Sequence, residues 1–183
     1  MIFHDTTFQL KDGRTALLRS PCENDAAEML QFLTKACGET EFLMRYPEEF
    51  ADYTIERERA FLRSEIESPD EAMINCVVDG SIIGNCKISF RSGIKDRHRA
   101  SVAIALLQEY WGQGIGTRIF QEMIRMAKDR EGVRQIELDF LEGNHRARSL
   151  YEKMGFRITG VKPDAIRLKD GTLRNEYMMM KIL

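Results

Sequence analysis

The stretch Gln108-Glu-Tyr-Trp-Gly-Gln-Gly-Ile-Gly-Thr117 decides how this chain is read. The apolar run Val102 to Leu107 leads into it and has the character of a buried strand. The segment Gly114 to Asp129 leads out of it, with Ile115, Ile119, Met123 and Met126 on one helical face. A strand therefore enters a glycine turn and a helix leaves it. Glycines at 112, 114 and 116 remove side chains, so the backbone can approach a ligand closely. The first N–H groups of the helix have no partner inside it, and the helix dipole adds positive character there. Such a turn is a site for a phosphate or pyrophosphate, and Thr117 offers a hydroxyl beside it. Three alternating glycines are more than a plain connector needs.

Two other phosphate-binding patterns fit less well. A P-loop requires a Lys after the last glycine, and none stands at that spacing. A dinucleotide fingerprint requires GxGxxG opening a parallel βαβ unit. Here the glycines run GxGxG and the strands before them read as antiparallel hairpins, although Asp139 falls near the distance of the acidic residue.

Upstream, Phe8–Leu10 and Arg14–Arg19 flank Asp12-Gly13 as a small hairpin. Asn24–Cys37 has mostly helical apolar spacing, with Gly38 as its expected stop. Glu39–Asp52 has no period and reads as a loop. Thr54 is placed to cap a helix through Ser68, with Ile55, Ala60, Phe61, Leu62 and Ile66 as its apolar set. Ala72–Val78 and Ser81–Phe90 form a hairpin about Asp79-Gly80. Downstream, Arg134–Leu141 alternates as a strand. Asn144 caps a helix that stops at Gly155, and Phe156–Val161 and Asn175–Ile182 complete a sheet. The expected architecture is one α/β (α+β) domain over residues 1–183, with a mixed, mostly antiparallel central sheet and helices on both faces.

The segment Asn144-His-Arg-Ala-Arg-Ser-Leu-Tyr-Glu-Lys-Met-Gly-Phe156 follows one strand after the glycine turn. Together the two segments resemble the paired motifs of the GNAT superfamily of N-acetyltransferases. Tyr110–Thr117 is similar to its acetyl-CoA pyrophosphate motif, and Asn144–Phe156 to its second, Leu-Tyr-Glu-Lys-x-Gly-Phe motif. With the strand before them they cover about residues 99–160. The resemblance implies that backbone N–H groups of Gly112, Gln113, Gly114, Ile115, Gly116 and Thr117 hold the pyrophosphate. It implies that backbone around Ile104 and Leu106 runs beside the pantetheine arm, and that Asn144 contacts pantetheine or an ordered water. Tyr151 matches the tyrosine near the CoA sulfur, the general acid to the leaving thiolate. Trp111 departs from the Arg or Gln that many relatives carry at its position.

The chemistry suits these residue types. An amine attacks a thioester carbonyl, and backbone N–H donors stabilise the oxyanion charge that develops. A tyrosine hydroxyl then protonates the departing thiolate. Taken by its pattern alone, Tyr151 reads first as a core tyrosine on the apolar helix face, and Asn144 as an N-cap. No carboxylate lies on Ser101–Leu107 to remove the amine proton; the candidates are Glu41, Glu39, Asp139, Glu176 or a water chain, with His98 and His145 equally possible by chemistry. The three histidines, at 4, 98 and 145, lack metal-ligand spacing, so no metal is expected.

Gly38–Phe50 mixes Phe42, Leu43, Met44 and Tyr46 with acids such as Glu41. In the GNAT fold this region helps wall the acceptor site, so Glu41 and Phe42 are its tentative substrate contacts. Residues 37–71 hold 11 acids against 4 bases, which favours a cationic amine over an acidic substrate; the acceptor that the resemblance implies is a small cationic amine or a protein N-terminus. Residues 112–183 hold 14 bases against 10 acids, suited to an anionic CoA. Overall, 27 Lys and Arg against 29 Asp and Glu exclude bulk attraction to nucleic acid. Four cysteines without a CxxC pair, no signal-peptide core and no membrane-length apolar run lead to the expectation of a cytoplasmic protein off the membrane. The reading is an acetyl-CoA-dependent acyltransferase, with a homodimer as candidate assembly; the alternative is a non-catalytic acyl-CoA-binding sensor or interaction module on the same fold.

Overall fold

In the computed structural model, which describes residues 1–183, Asp12-Gly13 folds β1 (Thr6–Gln9) back onto β2 (Thr15–Arg19). Gly13 sits at φ 88°, a conformation that suits a residue without a Cβ. A short 3-10 turn at Glu23–Asp25 then runs into α1 (Ala26–Glu39). Gly38 does not stop this helix. It lies inside the last turn, where a Cβ would stand 3.4 Å from Pro47, and the chain leaves the helix one residue later with Thr40 extended. Part of the expected loop is ordered too, since Pro47–Phe50 forms a 3-10 turn with proline at its start.

The side chain of Thr54 accepts the Arg57 N–H and caps α2 (Ile55–Glu67) as expected. The face that α2 buries is not the expected one. Leu62 is buried, but Ile55 and Phe61 are 42% and 37% exposed. The buried neighbours of Leu62 on this helix are Glu58 and Glu65, at 2% and 7% exposure. Glu58, Leu62 and Glu65 stand at helical spacing, so α2 turns two carboxyl groups inward.

β3 (Glu71–Val78) and β4 (Ser81–Phe90) pair through Asp79-Gly80, both at positive φ. β5 (Arg99–Leu106) leads to a 3-10 turn at Gln108–Tyr110 and then to α3 (Ile115–Asp129). On α3, Ile115, Ile119 and Met123 are buried as read from sequence. Phe120 and Ala127 join them, and Met126 is only half-buried. β6 (Gln135–Leu141), α4 (His145–Lys153), β7 (Arg157–Arg167) and β8 (Leu173–Ile182) complete the chain. β7 and β8 are longer than their sequence pattern. Their pairing continues past a break between Lys162 and Ile166, where Pro163 and positive-φ Asp164 interrupt the alternation.

The sheet is mixed. β5 and β6 run parallel, while β1–β2, β2–β3, β3–β4, β6–β8 and β7–β8 are antiparallel. Two compact units share the chain. One is Met1–Ser89 with Ala103–Ile119, and the other is Phe90–Val102 with Phe120–Leu183. The first orders its strands β1-β2-β3-β4, and the second β5-β6-β8-β7. β5 and α3 pass from one unit to the other. No helix is long and apolar enough to cross a membrane.

A buried polar line ties the first unit together. Arg19 makes two hydrogen bonds to Asp25, of 2.6 and 2.8 Å, and the Cys22 N–H donates to Asp25 at 2.9 Å. Asn75, fully buried on β3, donates to Asp25 at 3.3 Å and accepts from Asn85 of β4 at 2.8 Å. Burial alone would raise the Asp25 pKa; the Arg19 guanidinium and the Cys22 N–H overcome it and hold the group low. A lowered carboxylate pKa contributes stability that is present above the unfolded pKa and lost as pH falls through the folded one. Asp25→Ala should therefore cost about 3 kcal/mol in denaturant unfolding at neutral pH. Asp25→Asn should flatten the acid side of the stability curve below roughly pH 4; an unchanged acid limb would show that the pair contributes nothing.

Candidate functional site

The glycine turn belongs to the first unit. Gly112 and Gly114 sit at φ 80° and 92°, and a Cβ built on either would meet nothing within 4 Å. The turn is therefore required by the backbone, and the space above it is open. The Arg118 N–H donates to the Gly114 carbonyl at 3.1 Å and marks the start of the helix. The N–H groups of Ile115, Gly116 and Thr117 precede the first intrahelical donor and face no helical acceptor. Ile115 is buried and anchors the helix, while Gln113 is half-buried with its side-chain oxygen enclosed and without a hydrogen-bond partner.

Trp111 explains itself in the structure. Its indole N–H donates to the Leu106 carbonyl at 3.0 Å, so it staples the turn to the end of β5. The approach of the strands is close here as well. A Cβ on Gly84 of β4 would collide with Leu106 at 2.2 Å. Ile104 and Leu106 are half-buried, so the end of β5 keeps an accessible side.

The 3-10 turn before the glycines is tied to the end of α1. The Gln108 N–H donates to the Glu39 carboxylate at 2.6 Å, and its side-chain amide donates to the Glu39 carbonyl. Lys35 pairs with Glu109 at 2.6 Å. Glu39 is thus a structural acceptor rather than an unengaged base. Glu41 and Phe42 follow immediately, exposed and half-buried, with the Phe42 N–H donating to the Thr40 hydroxyl at 3.2 Å.

The second motif lies in the other unit. The Asn144 side-chain oxygen accepts the Ala147 N–H at 3.1 Å, which makes it the N-cap of α4. Tyr151, on the inner face of α4, is 8% exposed. Its ring packs on Phe120, Phe140 and Phe156, with centroids 5.3, 6.0 and 6.4 Å away. Burial pushes its phenol up to about 12, so the proton stays on oxygen at neutral pH. Gly155, at φ 87°, ends the helix and lets the Phe156 N–H reach the Tyr151 carbonyl at 2.9 Å. Asp139 and Glu176 share Lys162, at 3.5 and 2.8 Å, and are held in an ion-paired cluster.

The structure adds one carboxyl group to the candidate bases. Glu58 is buried with one oxygen unpartnered, and burial raises its pKa. Only the inward spacing of Glu58, Leu62 and Glu65 signals it in the sequence, and an apolar-face reading of α2 hides that signal. No group of three or more His, Cys, Asp and Glu residues could hold a metal ion. Charge divides by unit more sharply than along the chain. The first unit carries 10 basic and 18 acidic side chains, and the second 17 and 11. The glycine turn therefore sits in the acidic unit, so positive character beside it belongs to local N–H groups rather than to regional charge.

The sequence pattern of the Acetyltransferase (GNAT) family matches residues 36–156. Over 103 residues the chain is 27% identical to a Bacillus subtilis protein provisionally named a ribosomal protein bS18-alanine N-acetyltransferase. That match covers 56% of this chain and 65% of the relative, just under two-thirds of its length. The solved GNAT-family acetyltransferase from Streptococcus pneumoniae superposes with a TM-score of 0.84 at 27% identity, covering 92% of this chain and 99% of its own. A ribosomal L7/L12 alpha-N-protein acetyltransferase solved with coenzyme A shares the fold, with a TM-score of 0.76 at 17% identity over 92% of this chain and 94% of its own. With the pattern spanning more than half of its residues, the chain belongs to the Acetyltransferase (GNAT) family.

Proposed function

We propose that the protein transfers an acetyl group from acetyl-CoA to a primary amine, a small cationic amine or a protein N-terminus. The observation that carries the reading is the turn at Gly112–Thr117. It combines two positive-φ glycines, open space above them and the unpaired N–H groups of a helix start. These features fit a pyrophosphate, and acetyl-CoA is a co-substrate that carries one. The backbone at Ile104 and Leu106 runs beside the pantetheine arm in this reading. The Asn144 amide nitrogen, left over from the cap, contacts the arm or a water.

Each residue then has a stated task. The amine nitrogen bonds to the acetyl carbon as the carbon–sulfur bond breaks. Backbone N–H donors at the end of β5 accept the negative charge that builds on the acetyl oxygen. Tyr151 supplies its hydroxyl proton to the departing sulfur in this reading. The amine proton leaves to a base or to solvent. Glu41 and Phe42 contribute to the acceptor wall.

The test is release of free CoA thiol from acetyl-CoA with a panel of primary amines, alongside calorimetric binding of CoA. Amine-dependent thiol release supports the transferase; CoA binding without release by any amine favours the sensor reading. Tyr151→Phe should lower kcat about a hundredfold or more while leaving the CoA Kd unchanged. Unaltered turnover would remove Tyr151 from the acid role. Gly114→Ala meets no clash, but it forces a side chain into a left-handed conformation at a cost of about 1–2 kcal/mol. It should weaken CoA binding about tenfold and lower fold stability by no more than that strain. Wild-type CoA affinity in this variant would mean that the turn does not hold the pyrophosphate.

A further inference from the structure

The last residue of α1 and the first residue of the 3-10 turn before the glycines cap each other. A helix leaves its last carbonyls without donors, and a helical turn leaves its first N–H groups without acceptors. The Gln108 side-chain amide donates to the Glu39 carbonyl, and the Glu39 carboxylate accepts the Gln108 N–H at 2.6 Å. Each residue thus meets the open end of the other's element. The two are 69 residues apart in sequence, so only the fold brings them together. Lys35, one turn earlier on α1, adds an ion pair to Glu109 at 2.6 Å and stands 4.0 Å from the Glu39 carboxylate.

Both sides of this joint lead to parts of the acetyl-transfer reading. On one side, the Gln108 carbonyl accepts the Trp111 N–H at 3.0 Å, and the Trp111 indole donates to the Leu106 carbonyl at 3.0 Å. Hydrogen bonds therefore run without a break from Glu39 to Trp111, and Gly112 follows directly. On the other side, Thr40 leaves α1 extended, and its hydroxyl accepts the Phe42 N–H at 3.2 Å. Glu41 and Phe42 of the acceptor wall come immediately after. Gln108 and Glu109 are exposed, and Glu39 is half-buried. Water competes for these groups, so the joint opens at small cost and its closed population responds to what binds on either side.

We propose that Glu39 is a positioning residue for the glycine turn, and that through Gln108 it couples occupancy of that turn to order in the segment from residue 40 to residue 53. The closed joint fixes where the 3-10 turn begins, and so the path of the chain into Gly112. CoA bound at the turn favours the closed joint, and the closed joint holds the start of the acceptor segment. Coupling of this kind is reciprocal, so an acceptor bound on the segment strengthens CoA binding by the same factor. Glu39 does this by accepting a hydrogen bond and moves no proton. The proposal rests on the reading of the glycine turn as the CoA site.

The test is calorimetric binding of CoA together with amide hydrogen exchange over residues 40–53, measured with and without CoA. In the wild-type protein CoA should slow exchange at Phe42 and its neighbours. Glu39→Ala should raise the CoA Kd about fivefold and abolish that slowing. Glu39→Gln keeps an oxygen to accept the Gln108 N–H and should restore both, although it too lacks the charge that faces Lys35. Gln108→Ala removes the amide that caps α1 and keeps the backbone N–H, so it should reduce the slowing with a smaller rise in Kd. A merely structural Glu39 would shift the thermal midpoint and leave the CoA-dependent slowing in place. CoA binding without slowing in the wild type, slowing of equal size in wild type and Glu39→Ala, or a Glu39→Gln protein as defective as Glu39→Ala would overturn the proposal while leaving the CoA site intact. Failure of the wild-type protein to bind CoA would overturn the reading of the turn and the proposal with it.

Discussion

The constraint on which the candidate site depends is the change of direction between β5 and α3. A strand that must become a helix within a few residues, with its new N–H groups directed at a ligand, needs backbone angles that side chains resist. Gly112 and Gly114 supply them at φ 80° and 92°. Two further contacts fix the result. The Trp111 indole holds the Leu106 carbonyl, and Glu39 takes the Gln108 N–H, so the turn is clamped to both the strand before it and the end of α1. The clamp leaves the helix start as the group without an internal partner, and an anion is the natural complement. A regional excess of positive charge is not needed, and the unit that holds the turn is in fact acidic.

The same unit manages its buried charges in two ways. Asp25 is satisfied in full: Arg19, Cys22 and Asn75 all donate to it, and its pKa falls despite burial. Glu58 is satisfied in part, and its pKa rises. The two carboxyls differ in hydrogen-bonding supply more than in depth. Ordinary stability considerations account for Asp25, because the paired charge crosses β2 and β3 and fixes their register. They do not account for Glu58, where an apolar residue beside Leu62 would pack at lower cost.

Much of this was legible in the sequence where a local rule decides the outcome. The Asp79-Gly80 hairpin, the Thr54 cap, the Asn144 cap and the Gly155 stop each rest on the conformational needs of one or two residues, and each appears where the residues predict. The glycine turn is legible for the same reason. Gly38 shows where the rule loses force, because packing against Pro47 from a later segment keeps it helical. The β7–β8 extension was hidden by Pro163 and Asp164, which break the alternation without ending the pairing. The burial of Glu58 and Glu65 on α2 is not legible, because periodicity locates an amphipathic stripe without saying which residues line its inner side.

The burial of two carboxyl groups on α2 has a structural cause. A local pattern that conflicts with the tertiary structure is uncommon in a chain selected for consistent folding, and conflicts that persist concentrate where function offsets their cost. On α2 the conflict is specific: the helix exposes Ile55 and Phe61 and buries Glu58 and Glu65. Rotating the helix to bury its apolar residues would separate Glu65 from Lys87 and expose Leu62. The Glu65–Lys87 pair and Leu62 therefore hold the rotation of α2. Glu58, two turns from Glu65 on the same face, is carried inward with them. The geometry that buries Glu58 is thus set by its neighbours, whereas its chemical identity is not. A leucine would satisfy the rotation equally well, so the buried carboxyl is a cost that this rotation imposes and does not itself require.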